Sequence, residues 1–188
     1  MASYPLEQFV EDLRAAAASA AAARDVVDRA APLVRRFAEE GGWLGPESRE
    51  TDPEQGFGIR VLHEEPDHSL LVESIAWAPG RGVKPHDHQT WGIVVGVEGV
   101  ERNVNWERVD DGSEPGRAEL RQRNVIDVGP GHLCAFMPND IHSVENVGDT
   151  VSVSLHVYGR SLAHIDRSEF DPEEGTVRPC PKRKRVQA

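Results

Sequence analysis

Three groups of residues in the 188-residue chain have types and spacing that could do chemistry. The first is "KPHDHQTWGIVVGVEG", residues 84–99, in which His86 and His88 stand one residue apart and lead an apolar run. The second is "MPNDIHSVEN", which carries His142 just after a Pro/Asp turn. The third is "SVSLHVY", where Ser154, His156 and Tyr158 alternate with apolar residues. On a strand, residues i, i+2 and i+4 share a face. His86 and His88 can therefore aim two imidazoles into one space, and Ser154, His156 and Tyr158 can hydrogen-bond in series. If the strand that follows His142 lies beside the first, His142 adds a third imidazole. Three neutral histidines suit Fe, Zn, Cu or Ni and leave coordination positions open for substrate. An H-x-H pair alone is equally a feature of a polar surface loop.

These residues need a framework, and the periodicity supplies one. Leu6, Phe9, Val10 and Leu13 follow the i, i+3, i+4, i+7 pattern of a helix face, with Ser3 as N-cap and Pro5 in the first turn. A second face runs through Val26, Ala30, Leu33, Val34 and Phe37 and stops at Gly41 and Gly42. The alanine run Ala15–Ala23 between them reads either as continuous helix or as a break. Residues 41–55 read as loop. From Phe57 the period changes to short β-branched runs punctuated by Gly, Pro, Asn and Asp, including "DDG" at 110–112 and "GPG" at 129–131. Helices come first, then an antiparallel all-β body. The strands are expected to stop after Tyr158, and the basic tail "RPCPKRKRVQA", residues 178–188, to be flexible.

Composition narrows the class. The chain is of single-domain length, 38% hydrophobic and 28% charged. A net charge of −11 argues against nucleic acid and anionic membranes as partners, since phosphate binding needs clustered positive charge. Cys134 and Cys180 do not make a disulfide framework. With no long apolar run and an acidic N-terminus, the expected location is the cytoplasm.

The spacing around the histidines also resembles the two motifs of the cupin superfamily. Gly80, His86, His88 and Gly99 match the first, with Gly92 where a ligand Glu is usual. Pro138, His142 and Asn146 match the second, with Asp140 where Gly is usual and one residue fewer before the histidine. "HDH" followed by "TWG", together with "SLHVYG", is more narrowly similar to the thiol dioxygenases, the cysteine and 3-mercaptopropionate dioxygenases, over roughly residues 57–170. The resemblance implies a mainly β cupin double-stranded β-helix (jelly-roll) barrel with an N-terminal helical segment, residues 1–42. It implies mononuclear Fe(II) on His86, His88 and His142, and outer-sphere roles for Ser154, His156 and Tyr158. It also implies an arginine for the substrate carboxylate: Arg60 or Arg167, with Arg160 a weaker third. Arg60 depends on register, because a slip of one residue turns it to the other face. The cysteine that cross-links to the active-site tyrosine in some relatives is replaced by Ile93, next to Gly92, so no cross-link is expected. The implied activity is addition of O2 to the sulfur of a small carboxylate thiol by a monomer or homodimer. A cupin metalloenzyme acting on another small molecule, with Fe, Mn, Ni or Zn, and a non-catalytic ligand-binding cupin both remain open.

Overall fold

A computed structural model describes residues 4–186; the Ser3 N-cap position lies outside them. Two helices come first, α1 (Leu6–Ala18) and α2 (Ala23–Glu40). Pro5 occupies the N-cap position rather than the first turn. The alanine run breaks after Ala18, and the helix is closed by Ser19 N–H donating to the Ala15 and Ala17 carbonyls. Such a run has high propensity but few large side chains to bury, so tertiary packing decides where it ends. The buried face of α1 is Phe9, Val10, Leu13 and Ala16. That of α2 is Val27, Ala30, Val34 and Phe37, one residue displaced from the expected start at Val26. Phe9 and Phe37 stack at 4.2 Å and lock the two helices together.

Among the described residues eleven strands follow: β1 (Phe57–Glu64), β2 (Leu71–Trp77), β3 (Gly82–His86), β4 (Gly92–Glu98), β5 (Glu101–Arg108), β6 (Leu120–Val128), β7 (Leu133–Phe136), β8 (Ile141–Asn146), β9 (Ser152–Tyr158), β10 (Ser168–Asp171) and β11 (Thr176–Pro179). They form two antiparallel sheets, β1-β2-β9-β4-β7 and β11-β10-β3-β8-β5-β6. The pairs nest: β5 with β6, β4 with β7, β3 with β8 and β2 with β9. Successive pairs fall in alternate sheets, apart from the extra edge strands. That nesting is the double-stranded β-helix, or jelly roll. Gly80 (φ 65°) and Gly99 (φ 66°) make the β2–β3 and β4–β5 turns in the left-handed region, where a side chain is strained.

The first sheet is buried on both faces. Val72, Ile93, Val95, Leu155 and Val157 pack against the helices. Alternate residues of the same strands, among them Ile75, Trp77, His156 and Tyr158, face a cavity between the sheets.

Two expectations are corrected. Strands do not stop after Tyr158, because β10 and β11 extend the second sheet to Pro179. Nor is the basic tail loose over its described part. Val186 N–H donates to Ile59 O at 2.7 Å, Arg183 pairs with Glu169 at 2.8 Å, and Arg185 pairs with Glu64 at 2.9 Å. The tail's positive charges meet carboxylates drawn from β1, β10 and the loop before β1, where Lys184 reaches Asp52 and Glu54. Among the described residues no helix is long and apolar enough to cross a membrane.

Candidate metal centre and its outer-sphere residues

Two antiparallel strands bring His86 and His142 side by side: the residues are directly paired between β3 and β8. His88 arrives differently. Strand β3 ends at His86, so strand parity does not place His88. A pinned loop does: Asp87 N–H donates to Ser168 O, Ser168 N–H donates to Asp87 Oδ1, and Gln89 N–H donates to Pro138 O. Gln89 takes a left-handed φ of 54° to close the loop. One ring nitrogen from each of His86, His88 and His142 lies within 4.8 Å of the others, and all three residues are buried.

The imidazoles are prepared for a cation. His142 Nδ1 donates to Asn103 Oδ1 of β5 at 2.9 Å, which leaves Nε2 as its lone-pair nitrogen; Nε2 is buried and has no partner. His86 Nδ1 donates to Lys84 O at 2.9 Å. A ligating histidine is usually oriented through its other nitrogen in this way. Burial pushes the His86 ring down to about 4 and holds His88 and His142 well below the usual imidazole range. All three are therefore neutral near pH 7, the form that binds a metal. Neutral rings, an orphaned buried Nε2 and mutual proximity make this donor set fit a metal ion.

Beside the triad runs a buried hydrogen-bonded chain on β9. Ser154 Oγ lies 2.7 Å from His156 Nε2, and His156 Nδ1 lies 2.8 Å from the Tyr158 hydroxyl. Burial drives the His156 ring down to about 3 and the Tyr158 phenol well above its ordinary value, so both are neutral. The Tyr158 ring lies 5.1 Å from that of His88. Gly92 makes room for it: a Cβ at residue 92 would sit 2.9 Å from Tyr158 Cδ1 and Cε1. The residue facing Tyr158 is thus Gly92, paired with it across β4–β9, while Ile93 points to the helices. This corrects the expected position without adding a thiol there.

The inner cavity, about 50 Å³, is lined by the three clustered histidines, His156, Tyr158 and apolar side chains including Phe57, Ile75 and Trp77. It shares lining residues, among them Glu73, Leu162 and Arg167, with an outer cleft of about 1180 Å³ bordered by residues 162–168 and 177–183. Arg167 lines both spaces. Arg60 lines neither; Ile59 does, so the register places Arg60 on the opposite face. Arg160 is exposed and also outside the lining.

Three lining residues with ionisable side chains escaped the sequence reading: Glu73, Cys180 and Arg183. Glu73 had a readable signal, a lone carboxyl inside the apolar run "LLVESIAW". Cys180 and Arg183 had none, since only long-range docking brings the tail here. Cys134 is buried away from the cavity with its thiol pushed up by burial, an inert site.

No protein-family model matches the chain. Among solved structures it is similar to an oxalate oxidase in complex with the substrate analogue glycolate: 20% identity, TM-score 0.46, covering 59% of this chain and 54% of that one. It is also similar to a cupin superfamily protein from Desulfitobacterium hafniense (14% identity, TM-score 0.44, 61% of this chain and 87% of that one). A third likeness is to an oxalate decarboxylase variant of B. subtilis (19% identity, TM-score 0.38, 60% and 24%). The match thus spans about half the length of the oxalate oxidase. Likenesses of this strength bear on no residue's role.

Proposed function

We propose that the protein is an iron-dependent thiol dioxygenase that adds both atoms of O2 to the sulfur of a small carboxylate thiol, giving a sulfinate. The observation that carries this reading is the Ser154–His156–Tyr158 chain ending beside the three-histidine cluster. These are the residues on which the sequence resembles that family. The overall change balances without a reductant: RSH and O2 give RSO2H, with sulfur oxidised and oxygen reduced.

Fe(II) on His86, His88 and His142 would supply the redox chemistry and favour the thiolate form of the substrate. The chain's own residues do the rest. In the tautomer that carries its proton on His156 Nδ1, Ser154 O–H donates to Nε2, Nδ1–H donates to the Tyr158 oxygen, and the Tyr158 O–H is left free to donate into the cavity. Because the phenol stays protonated, it acts as a hydrogen-bond donor at neutral pH. Arg167, at the border of cavity and cleft, would hold the substrate carboxylate through its planar fork. Apolar walls of Phe57, Ile75 and Trp77 limit water around the reacting sulfur.

The test is oxygen uptake by Fe(II)-loaded protein with cysteine, 3-mercaptopropionate, mercaptosuccinate and cysteamine, with mass spectrometry of the product. The expected result is uptake with at least one carboxylate thiol and a product heavier by two oxygen atoms. Uptake no faster than that of free iron with every thiol rejects the proposal.

A further inference from the structure

Glu73 has no part in the chemistry just described, yet it lines both the inner cavity and the outer cleft. It lies on the cavity face of β2 with Ile75 and Trp77, directly across from His156 of β9. It is 2% exposed, and its Oε2 has no hydrogen-bond partner. The Arg185 guanidinium comes only to 4.0 Å and is already engaged with Glu64 at 2.9 Å. Burial pushes the Glu73 carboxyl up to about 7, even though Arg185 and Arg167 pull it the other way. A buried acid without a partner is costly to keep, and buried polar groups are normally satisfied.

Arg167 presents the complementary feature. Its guanidinium forms no side-chain hydrogen bond or ion pair with any described residue, although every charged lining residue of the tail side except Lys182 is engaged: Arg178 and Arg183 by Glu169, Arg185 by Glu64. Its charge is felt at Glu73 and at His86, so it stands near both. A buried carboxyl with an unpartnered oxygen and a partly exposed guanidinium without a protein partner among the described residues thus line one cavity beside the three histidines, and they are not paired with each other. A ligand that satisfies both carries a cationic and an anionic group close together.

We propose that Glu73 is a specificity-determining residue that accepts hydrogen bonds from a protonated amine of the substrate, while Arg167 takes the carboxylate. This rests on the thiol dioxygenase reading for the sulfur, and it narrows the substrate from carboxylate thiols in general to those bearing an amine. A bound ammonium beside Glu73 restores the ionised carboxylate and removes the unpartnered oxygen in one step. An amine-free thiol leaves that oxygen unsatisfied, which is how a site built for a polar group rejects the analogue lacking it.

The test is calorimetric titration of Fe(II)-loaded protein under nitrogen, where no turnover occurs, with cysteine and with 3-mercaptopropionate. Wild type should bind cysteine at least tenfold more tightly. Glu73→Gln, which keeps shape and removes charge, should weaken cysteine at least tenfold and leave 3-mercaptopropionate within twofold. Equal affinities in wild type, an unchanged cysteine affinity in the variant, or parallel weakening of both thiols each overturns the proposal. Metal content and thermal melting of the variant report separately on folding. Binding that discriminates by amine without oxygen uptake would reject the dioxygenase reading while leaving Glu73 in its role.

Discussion

Glu101 of β5 is a second buried acid, and its cost can be worked out. It is 1% exposed, and neither carboxylate oxygen has a hydrogen-bond partner, although Ser154 and Trp77 lie next to it. Burial raises its carboxyl from 4.5 to about 7. A raised folded-state value means the folded protein holds a proton that the unfolded chain releases. The associated stability is fully present below pH 4.5 and is lost as pH rises through 7. At pH 8 a shift of roughly 2.5 pH units at about 1.4 kcal/mol each amounts to about 3 kcal/mol. Glu101→Gln cannot ionise. It should match wild type at pH 4.5, apart from a constant offset for altered hydrogen bonds, and be more stable by about 3 kcal/mol at pH 8. For a chain of this length that corresponds to roughly 6–12 °C in Tm. The assay is thermal unfolding followed by circular dichroism from pH 4.5 to 8.5, with a chelator present so that metal release adds nothing. Glu73 and the buried histidines titrate in both proteins and cancel in the difference. A gap between variant and wild type that stays constant with pH, or shrinks as pH rises, refutes the reasoning.

Two further outcomes follow from the centre itself. Gly92→Ala puts a methyl group against the Tyr158 ring and should displace it; on the proposed dioxygenase function, metal content should stay near wild type while oxygen uptake falls at least about tenfold, and a fully active variant would separate Tyr158's position from turnover. Asn103→Ala removes the acceptor that orients His142, and the metal dissociation constant in a competitive chelator titration should rise about 10–100-fold; an unchanged constant would show that Asn103 does not support the ligand.

The parts of the site that lie on one strand were legible in the sequence. Ser154, His156 and Tyr158 alternate with buried apolar residues, and strand parity alone puts them on one face. The His86–His142 pairing was legible as a possibility, because each leads into a strand-like run, but their adjacency needed the topology. His88 met its partners for a different reason than parity, since the strand ends before it and the loop is held by Asp87 and Gln89. Arg60 shows the sensitivity of strand reading to register: one residue decides between cavity and outer face, and nothing local to "GIRVLH" fixes it. The tail was illegible because its anchors are acids far away in the chain. Glu169 and Glu64 are unremarkable in their own segments and acquire meaning only when Arg183 and Arg185 reach them.

The position of β9 in its sheet has a consequence for biosynthesis. It lies between β2 and β4, yet it emerges from the ribosome after both and after β5 to β8. Until residue 158 has been made, β2 and β4 each lack a neighbour, and their apolar edges are open to mispairing with other chains. Inserting β9 closes both edges at once. The same event delivers Ser154, His156 and Tyr158, so the nascent chain cannot hold an assembled site while its sheet is still vulnerable to aggregation.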